Sequence, residues 1–326
     1  MWDLRNPTCE ALHIDAKFFT DDNHLCYSAQ TIMSWIFLSI LAALFWACTN
    51  ISDKYVLGKL VQNVALPTIA MGVISVIAAA AIFFSRGFQP LSFIHIMWAL
   101  VGGFFYVVMA LFYFLAVKNE EISRVIALFY LSPIFVLALA GVFLGELFTP
   151  LKYLGIFLLV VGAIVVSSDG SLNFSFGKPF WFMVLASATS AVTQVITKYL
   201  LGFADFWTVF SWVRIGAFVP LIPLLMLNVG NFKELFRSQG IKPFAFMSLS
   251  EGLNILGILC LTLASVTGFI TLVNALASVQ PVFVLLFATL ASVFLPHVLS
   301  EKTHVSAVTA KVLGIAIIVV GAILVS

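Results

Sequence analysis

The sequence predicts an all-α membrane protein with ten transmembrane helices, arranged as two inverted five-helix repeats. Of its 326 residues 62% are hydrophobic and only 9% are charged, whereas a soluble domain carries about 25% charged residues. Ten apolar stretches follow one another after residue 33, and each is long enough to cross ~30 Å of hydrocarbon. A segment of fourteen residues near the middle of the chain is repeated at its end, with ten identical positions.

The apolar stretches are hydrophobic on all sides and lack the alternation of a lipid-facing barrel strand, so they are predicted to be helices. Short polar segments, glycines and prolines separate them. In chain order the predicted spans are Ser34–Leu57, Val64–Phe84, Phe93–Val117, Ile122–Leu144, Leu151–Ser168, Phe180–Leu200, Phe206–Asn228, Pro243–Ala264, Gly268–Leu295 and Ala307–Ser326.

The first 33 residues form a polar tail that differs from everything after them. The tail lacks the basic start and apolar core of a signal peptide, and it is expected to be a mobile extension. Two cysteines and two histidines in it fit a zinc site only weakly, because their spacing matches no familiar finger: Cys9, His13, His24 and Cys26. No metal and no cofactor is therefore predicted.

An internal duplication divides the remainder into two repeats, residues 34–168 and 169–326. LGIFLLVVGAIVVS at 154–167 matches LGIAIIVVGAILVS at 313–326, and two shorter matches occur in the same order in both halves. Five crossings end on the side opposite to their start, so the second repeat is predicted to be inverted. Inverted repeats are a common transporter plan, with the solute bound near the midplane; the alternative is a duplication that merely builds a stable scaffold.

Three segments carry a resemblance to a known family: WACTNISDKY from Trp46, FLGELFTPLKYLGIFLLVVGAIVV from Phe143, and PVFVLL from Pro281. They resemble the EamA-like branch of the drug/metabolite transporter superfamily. The resemblance implies ten helices and transport, and its motif positions map onto Trp46, Asn50, Lys54, Gly145, Glu146, Gly155 and Gly162. The second half departs from the pattern, so a role for Glu146 cannot be transferred to Glu301.

Two ionisable residues lie deep inside predicted spans, Arg214 and Glu251. At 1.5 Å per residue each is roughly 12 Å from the start of its span, and charges there normally face a partner or a solute. Asn254 follows Glu251 by three residues on the same helix face. We therefore predict a polar cluster of Arg214, Glu251 and Asn254, with a purely structural ion pair between helices seven and eight as the alternative.

Further candidates for the cavity wall are polar or aromatic residues inside the spans. They are Trp46, Asn50, Tyr106, Tyr113, Asn274 and Gln280, although packing explains the tyrosines equally well. Pro133 and Pro281 are predicted to be mid-helix hinges, because each would free a backbone carbonyl near the midplane. Asp53 and Lys54 are placed near the membrane interface, where a charged side chain costs little free energy, and are left out of the predicted site.

These features predict a secondary transporter or exporter of small polar metabolites that works by alternating access, with amino-acid-like solutes as the first hypothesis. Motifs for hydrolysis or ATP use, such as GxSxG, HExxH and GxxxxGK[ST], are absent from the sequence, so no enzyme is predicted. The alternative is a non-transporting membrane scaffold or receptor.

The expected surroundings are the lipid bilayer and a small-molecule solute, without nucleic acid, for a monomer or homodimer. The protein is expected in the plasma or inner membrane, and the family resemblance implies cytoplasmic termini. The basic residues disagree with that orientation, because five lie on the terminal side and ten on the other side.

Overall fold

The structure is a computed structural model that describes residues 24–87, 89–119, 128–167, 177–284, 286–287 and 305–325. These ranges contain helices and no strands. The helices are α1 (His24–Tyr55) with a π-helical turn at Val56–Leu60, α2 (Ala65–Arg86), α3 (Phe93–Asn119), α4 (Ser132–Phe143), α5 (Pro150–Ser167), α6 (Lys178–Leu200), α7 (Phe206–Gly216), α8 (Phe218–Gln239), α9 (Lys242–Thr267), α10 (Ile270–Ala277) and α11 (Val305–Val325).

The helices confirm a multi-pass, all-α membrane protein. Within the described ranges, six helical segments are long and apolar enough to cross a membrane, and four shorter apolar helices accompany them. Large apolar side chains cover the outside, and Phe84 and Leu227 are 85% and 82% exposed. An exposed apolar band of this kind is suited to lipid. The division into two inverted repeats remains a prediction.

The helix boundaries differ from the predicted spans in several places. α1 begins at His24, inside the segment predicted to be a tail, and its π-helical turn carries it on to Leu60. The seventh predicted span is divided at Ala217 into α7 and α8. The side chains of the proposed zinc ligands in the tail, and Glu301 near the end of the chain, lie outside the described residues.

The mid-helix placement of the two prolines is wrong. Pro133 lies in the first turn of α4, directly after a turn at Tyr130–Leu131. Pro281 likewise lies in the first turn of a helical segment at 280–284, after a turn at Ser278–Val279. Proline lacks an amide hydrogen and clashes with the preceding helical turn, but it is well tolerated at the start of a helix. The chain therefore breaks its helices just before each proline.

The duplicated phrases form α5 and α11, and these two helices pack against each other in antiparallel directions. A Cβ atom added at Gly162 would lie 2.9 Å from the carbonyl oxygen of Gly314 and 2.7 Å from Ile318 Cγ1. One added at Gly321 would lie 2.9 Å from the carbonyl oxygen of Gly155. The glycines thus permit the close backbone approach that van der Waals packing between membrane helices requires.

Two further antiparallel pairs build the centre of the bundle, α1 with α9 and α3 with α6. In the first pair Trp46 contacts Asn254, and in the second Thr193 Oγ1 donates to the carbonyl oxygen of Gly102. α7 packs on α2 and α3, where Gly216 lies directly against the backbone of Leu100. This contact places the last turn of α7 inside the bundle.

Two charged side chains, the buried Glu146 and the partly buried Lys198, hold the break between α9 and α10. Lys198 Nζ, at the end of α6, donates to the carbonyl oxygens of Ser265 at 2.5 Å and Gly268 at 2.9 Å. Glu146 accepts the backbone N–H groups of Ile270 and Thr271 at 2.9 and 3.0 Å. We call this arrangement of Glu146 and Lys198 around the break the α9–α10 clasp.

The clasp lies at one edge of the bundle, where α6, α9 and α11 end and α10 begins; we call it the terminal edge. Glu146 reaches the clasp because the chain turns sharply after α4 at Gly145, whose φ of 69° is readily adopted only by glycine. The opposite edge carries the π-helical turn and the end of α8, where Gln239 Nε2 donates to the carbonyl oxygen of Leu60.

We predict that Gly162→Ala destabilises the protein by about 1–3 kcal/mol, because the added methyl group overpacks the α5–α11 contact. The matched control is Gly230→Ala in α8, where nothing lies within 4 Å of an added Cβ and a gain of about 0.4–1 kcal/mol is expected. Denaturant unfolding in detergent micelles measures both free energies. Equal values for the two variants would contradict the packing argument.

We predict that Glu146→Gln lowers the free energy of unfolding by about 1–3 kcal/mol, because the amide keeps one acceptor oxygen and leaves one buried N–H of α10 unpaired. Hydrogen exchange at Ile270 and Thr271 should accelerate in the same variant. Glu234→Gln, at an exposed position of α8, is the control and should change neither quantity. Unaltered exchange at both amides in Glu146→Gln would refute the capping role.

Candidate functional site

A cavity of about 190 Å³ lies between the two predicted repeats. Its walls come from α1, α2, α3, α4, α6, α7, α9 and α10. All the binding residues predicted from the sequence line it: Trp46, Asn50, Tyr106, Tyr113, Arg214, Glu251, Asn254, Asn274 and Gln280. Of the two prolines, Pro133 also lines the cavity and Pro281 does not.

Glu251 is 5% exposed and is held by neutral donors from three helices. Ser75 Oγ donates to Oε1 at 3.1 Å, and the hydroxyl of Tyr106 donates to the same oxygen at 3.3 Å. Asn254 Nδ2 donates to Oε2 at 2.9 Å. A carboxylate has about four acceptor positions, so one position on Oε2 is left for a further donor.

Arg214 is buried on the same wall but does not form an ion pair with Glu251 in the described structure. Its guanidinium carbon lies 3.9 Å from the ring centre of Tyr106 and 5.7 Å from that of Phe210. Nε and Nη1 have no hydrogen-bond partner. Tyr106 therefore lies between the two charges of the predicted cluster. The structural alternative, a direct ion pair between the seventh and eighth predicted spans, is not formed.

The position of Arg214 follows from how α7 is built. Asp205 caps the start of the helix by accepting the backbone N–H groups of Trp207 and Thr208 at 2.9 and 3.2 Å. Arg214 stands in the last turn of α7. The close contact of Gly216 with Leu100 then holds this turn inside the bundle.

Trp46 and Asn254 join α1 and α9 at the centre of the cavity. Trp46 Nε1 donates to Asn254 Oδ1 at 3.1 Å, and Asn254 Nδ2 also donates to the hydroxyl of Tyr106 at 2.9 Å. Gly257 lies directly behind the indole, since an added Cβ would be 2.6 Å from Nε1. The tryptophan ring is therefore fixed in one orientation against the polar wall.

A second polar group of the lining joins α6 to α10. Asn274 Nδ2 donates to Gln194 Oε1, and Gln194 Nε2 donates to Ser190 Oγ at 3.1 Å. The polar residues of α6 were interpreted from sequence as helix packing, and hydrogen bonds such as that from Thr193 to Gly102 support this. Thr193, Gln194 and Thr197 nevertheless also face the cavity.

Sequence reasoning missed Asp53 and Ser250, which both line the cavity. Ser250 Oγ donates to Asp53 Oδ1 at 2.5 Å. A signal was present, because Trp46, Asn50 and Asp53 are spaced by four and three residues and so share one helix face. Asp53 was nevertheless left out of the predicted site, because it lies near the end of the predicted span.

The comparisons with known proteins agree with this architecture. Residues 33–168 match the profile of the EamA-like transporter family. An uncharacterized transporter of Archaeoglobus fulgidus is 27% identical over 194 residues, an alignment that spans 59% of this chain and 63% of that protein's length.

A solved crystal structure covers 87% of this chain and 95% of its own chain with a TM-score of 0.62. At 17% identity it bears on the fold alone. The resemblance stated from the sequence is thus confirmed over residues 33–168, the part of the chain that matches the EamA-like transporter family.

Proposed function

We propose that this protein is a secondary transporter of small polar metabolites, which binds an amino-acid-like solute in the central cavity and releases it by alternating access. The observation that carries the proposal is Arg214, a buried guanidinium that faces the cavity with Nε and Nη1 unpartnered. An unpartnered charge is costly to bury, so a solute that supplies the missing acceptors gains binding free energy there.

The chemistry of the two charges favours a solute with a carboxylate and an amine. The guanidinium fork of Arg214 matches a carboxylate in a bidentate arrangement, and the planes of Tyr106 and Phe210 hold it in place. Glu251 keeps one acceptor position for an ammonium group. Because Tyr106 separates the two charges, each is available to the solute.

The pairing of the helices supports two inverted repeats, residues 34–168 and 169–326. A two-fold axis in the membrane plane would exchange α1 with α6 and α3 with α9, so it would exchange the α1–α9 pair with the α3–α6 pair. The duplicated helices α5 and α11 contact each other, as they would across such an axis. Transporters with this symmetry alternate by rocking one repeat against the other.

The α9–α10 clasp is well placed to act in this alternation. The cavity lining extends to Ser265 and Ile270, which are also bonded by Lys198 and Glu146. Opening the terminal edge would separate α10 from α4 and α6 and break these bonds. The clasp thus favours a state that is closed at the terminal edge. We propose that the termini lie in the cytoplasm, in accordance with the family resemblance.

We predict that Arg214→Gln and Glu251→Gln each lower solute flux in proteoliposomes roughly tenfold to a hundredfold, since a charge-assisted hydrogen bond contributes about 1.5–3 kcal/mol. Counterflow of radiolabelled amino acids measures the flux, and gel filtration checks that each variant is folded. Arg214→Lys keeps the positive charge but not the bidentate guanidinium, so it should retain only part of the solute flux. Glu234→Gln is the control. Full flux in both Arg214→Gln and Glu251→Gln would refute the proposed roles.

We predict that Lys198→Met opens the terminal edge more often, because the carbonyl groups of Ser265 and Gly268 lose their donor. The reporter is Ser265→Cys, at a residue 1% exposed, in a background with all four native cysteines replaced by alanine. A membrane-impermeant maleimide should label the reporter faster from the terminal side.

Lys59→Met, at an exposed position of the opposite edge, is the matched control for the clasp variant and should leave the labelling rate unchanged. Equal labelling of Ser265→Cys with and without Lys198 would contradict a gating role for the clasp.

A further inference from the structure

Asp53 is a cavity-facing carboxylate that the proposed binding of an amino-acid head group does not use. It lies on α1 toward the opposite edge and is linked to α9 through Ser250, whose Oγ donates to Oδ1 at 2.5 Å. This hydrogen bond occupies one of about four acceptor positions. In the described structure no lysine, arginine or histidine pairs with Asp53, so its charge is open to a ligand.

The charges of the described lining do not balance. Arg214 is the one basic side chain among the lining residues, and it faces two acids, Asp53 and Glu251. A zwitterionic head group bound to Arg214 and Glu251 is neutral and adds no charge to the cavity. One negative charge therefore remains, at Asp53, and the group that best offsets a partly buried carboxylate is a cation that donates hydrogen bonds to it.

Other polar and aromatic residues of the lining fit a ligand with such a group. Ser132, which is 4% exposed, lines the same cavity and its buried Oγ has no partner; the buried hydroxyl of Tyr113 also has none. Aromatic residues, whose ring faces attract cations, also line the cavity: Tyr113, Phe114, Phe129 and Tyr130. The unpartnered polar groups of Arg214, Ser132 and Tyr113 indicate that the cavity is built for a molecule rather than for packing.

We propose that Asp53 binds a second cationic group of the solute, so that the preferred solutes are amino-acid-like compounds with a basic side chain and a net charge of +1. The proposal rests on the proposed function, because it assumes that the head group binds to Arg214 and Glu251. The side chain then extends along α1 toward the opposite edge, past Asn50 to Asp53.

The test compares solutes with and without a distal charge, in proteoliposomes of the full chain. Competition against a labelled amino acid is measured for lysine against norleucine and for arginine against citrulline. The unmodified protein should bind the cationic member of each pair at least tenfold more tightly. In Asp53→Asn that ratio should fall to about one, in Asp53→Glu it should be largely kept, and in the exposed control Glu234→Gln it should be unchanged.

Three outcomes would overturn the inference. Equal binding of lysine and norleucine by the unmodified protein would remove the second cation site and leave the proposed function intact. A ratio that survives Asp53→Asn would place the site elsewhere. Transport of no amino-acid-like solute would refute both proposals. Nε-acetyl-lysine gives a further test that needs no variant, because it keeps the lysine chain and its nitrogen, adds an acetyl group and removes the charge; it should compete at least tenfold less well.

Discussion

The structure depends on one constraint, that backbone N–H and C=O groups buried away from water find partners within the protein. Continuous helices meet the constraint by themselves, but the break between α9 and α10 does not. Its free groups are bonded by two side chains from other elements, Lys198 at the carbonyl end and Glu146 at the amide end. These hydrogen bonds connect α6 and the segment after α4 to the ends of α9 and α10.

The same constraint explains how charges are kept in the cavity wall. Glu251 is bonded by Ser75, Tyr106 and Asn254, which are neutral, so its charge is stabilised without being neutralised. Arg214 lies against the face of Tyr106 rather than against a carboxylate. A direct ion pair would have satisfied both residues and left little to attract a solute. The intervening tyrosine keeps the two charges apart and available.

Much of the site could be predicted because the cost of a charge in hydrocarbon singles out residues such as Arg214 and Glu251 from sequence alone. Asp53 was missed for a physical reason. Its depth was judged from the predicted end of the first span, whereas the π-helical turn extends α1 to Leu60 and places Asp53 further from the helix end. The prolines were misplaced because hydropathy does not register a helix break within an apolar run, and turns precede both Pro133 and Pro281.

The sequence by itself determined the membrane-spanning helices and the repetition, since hydrophobicity and sequence identity are properties of each segment alone. It also identified the polar residues that lie inside apolar segments, where burial is costly unless they have a partner or a ligand. Only the tertiary structure decided which helices meet: that the twin phrases pack on each other through Gly155, Gly162 and Gly321, that Glu146 reaches α10, and that Tyr106 stands between Arg214 and Glu251. Those contacts join residues far apart in the chain, and no local pattern encodes their geometry.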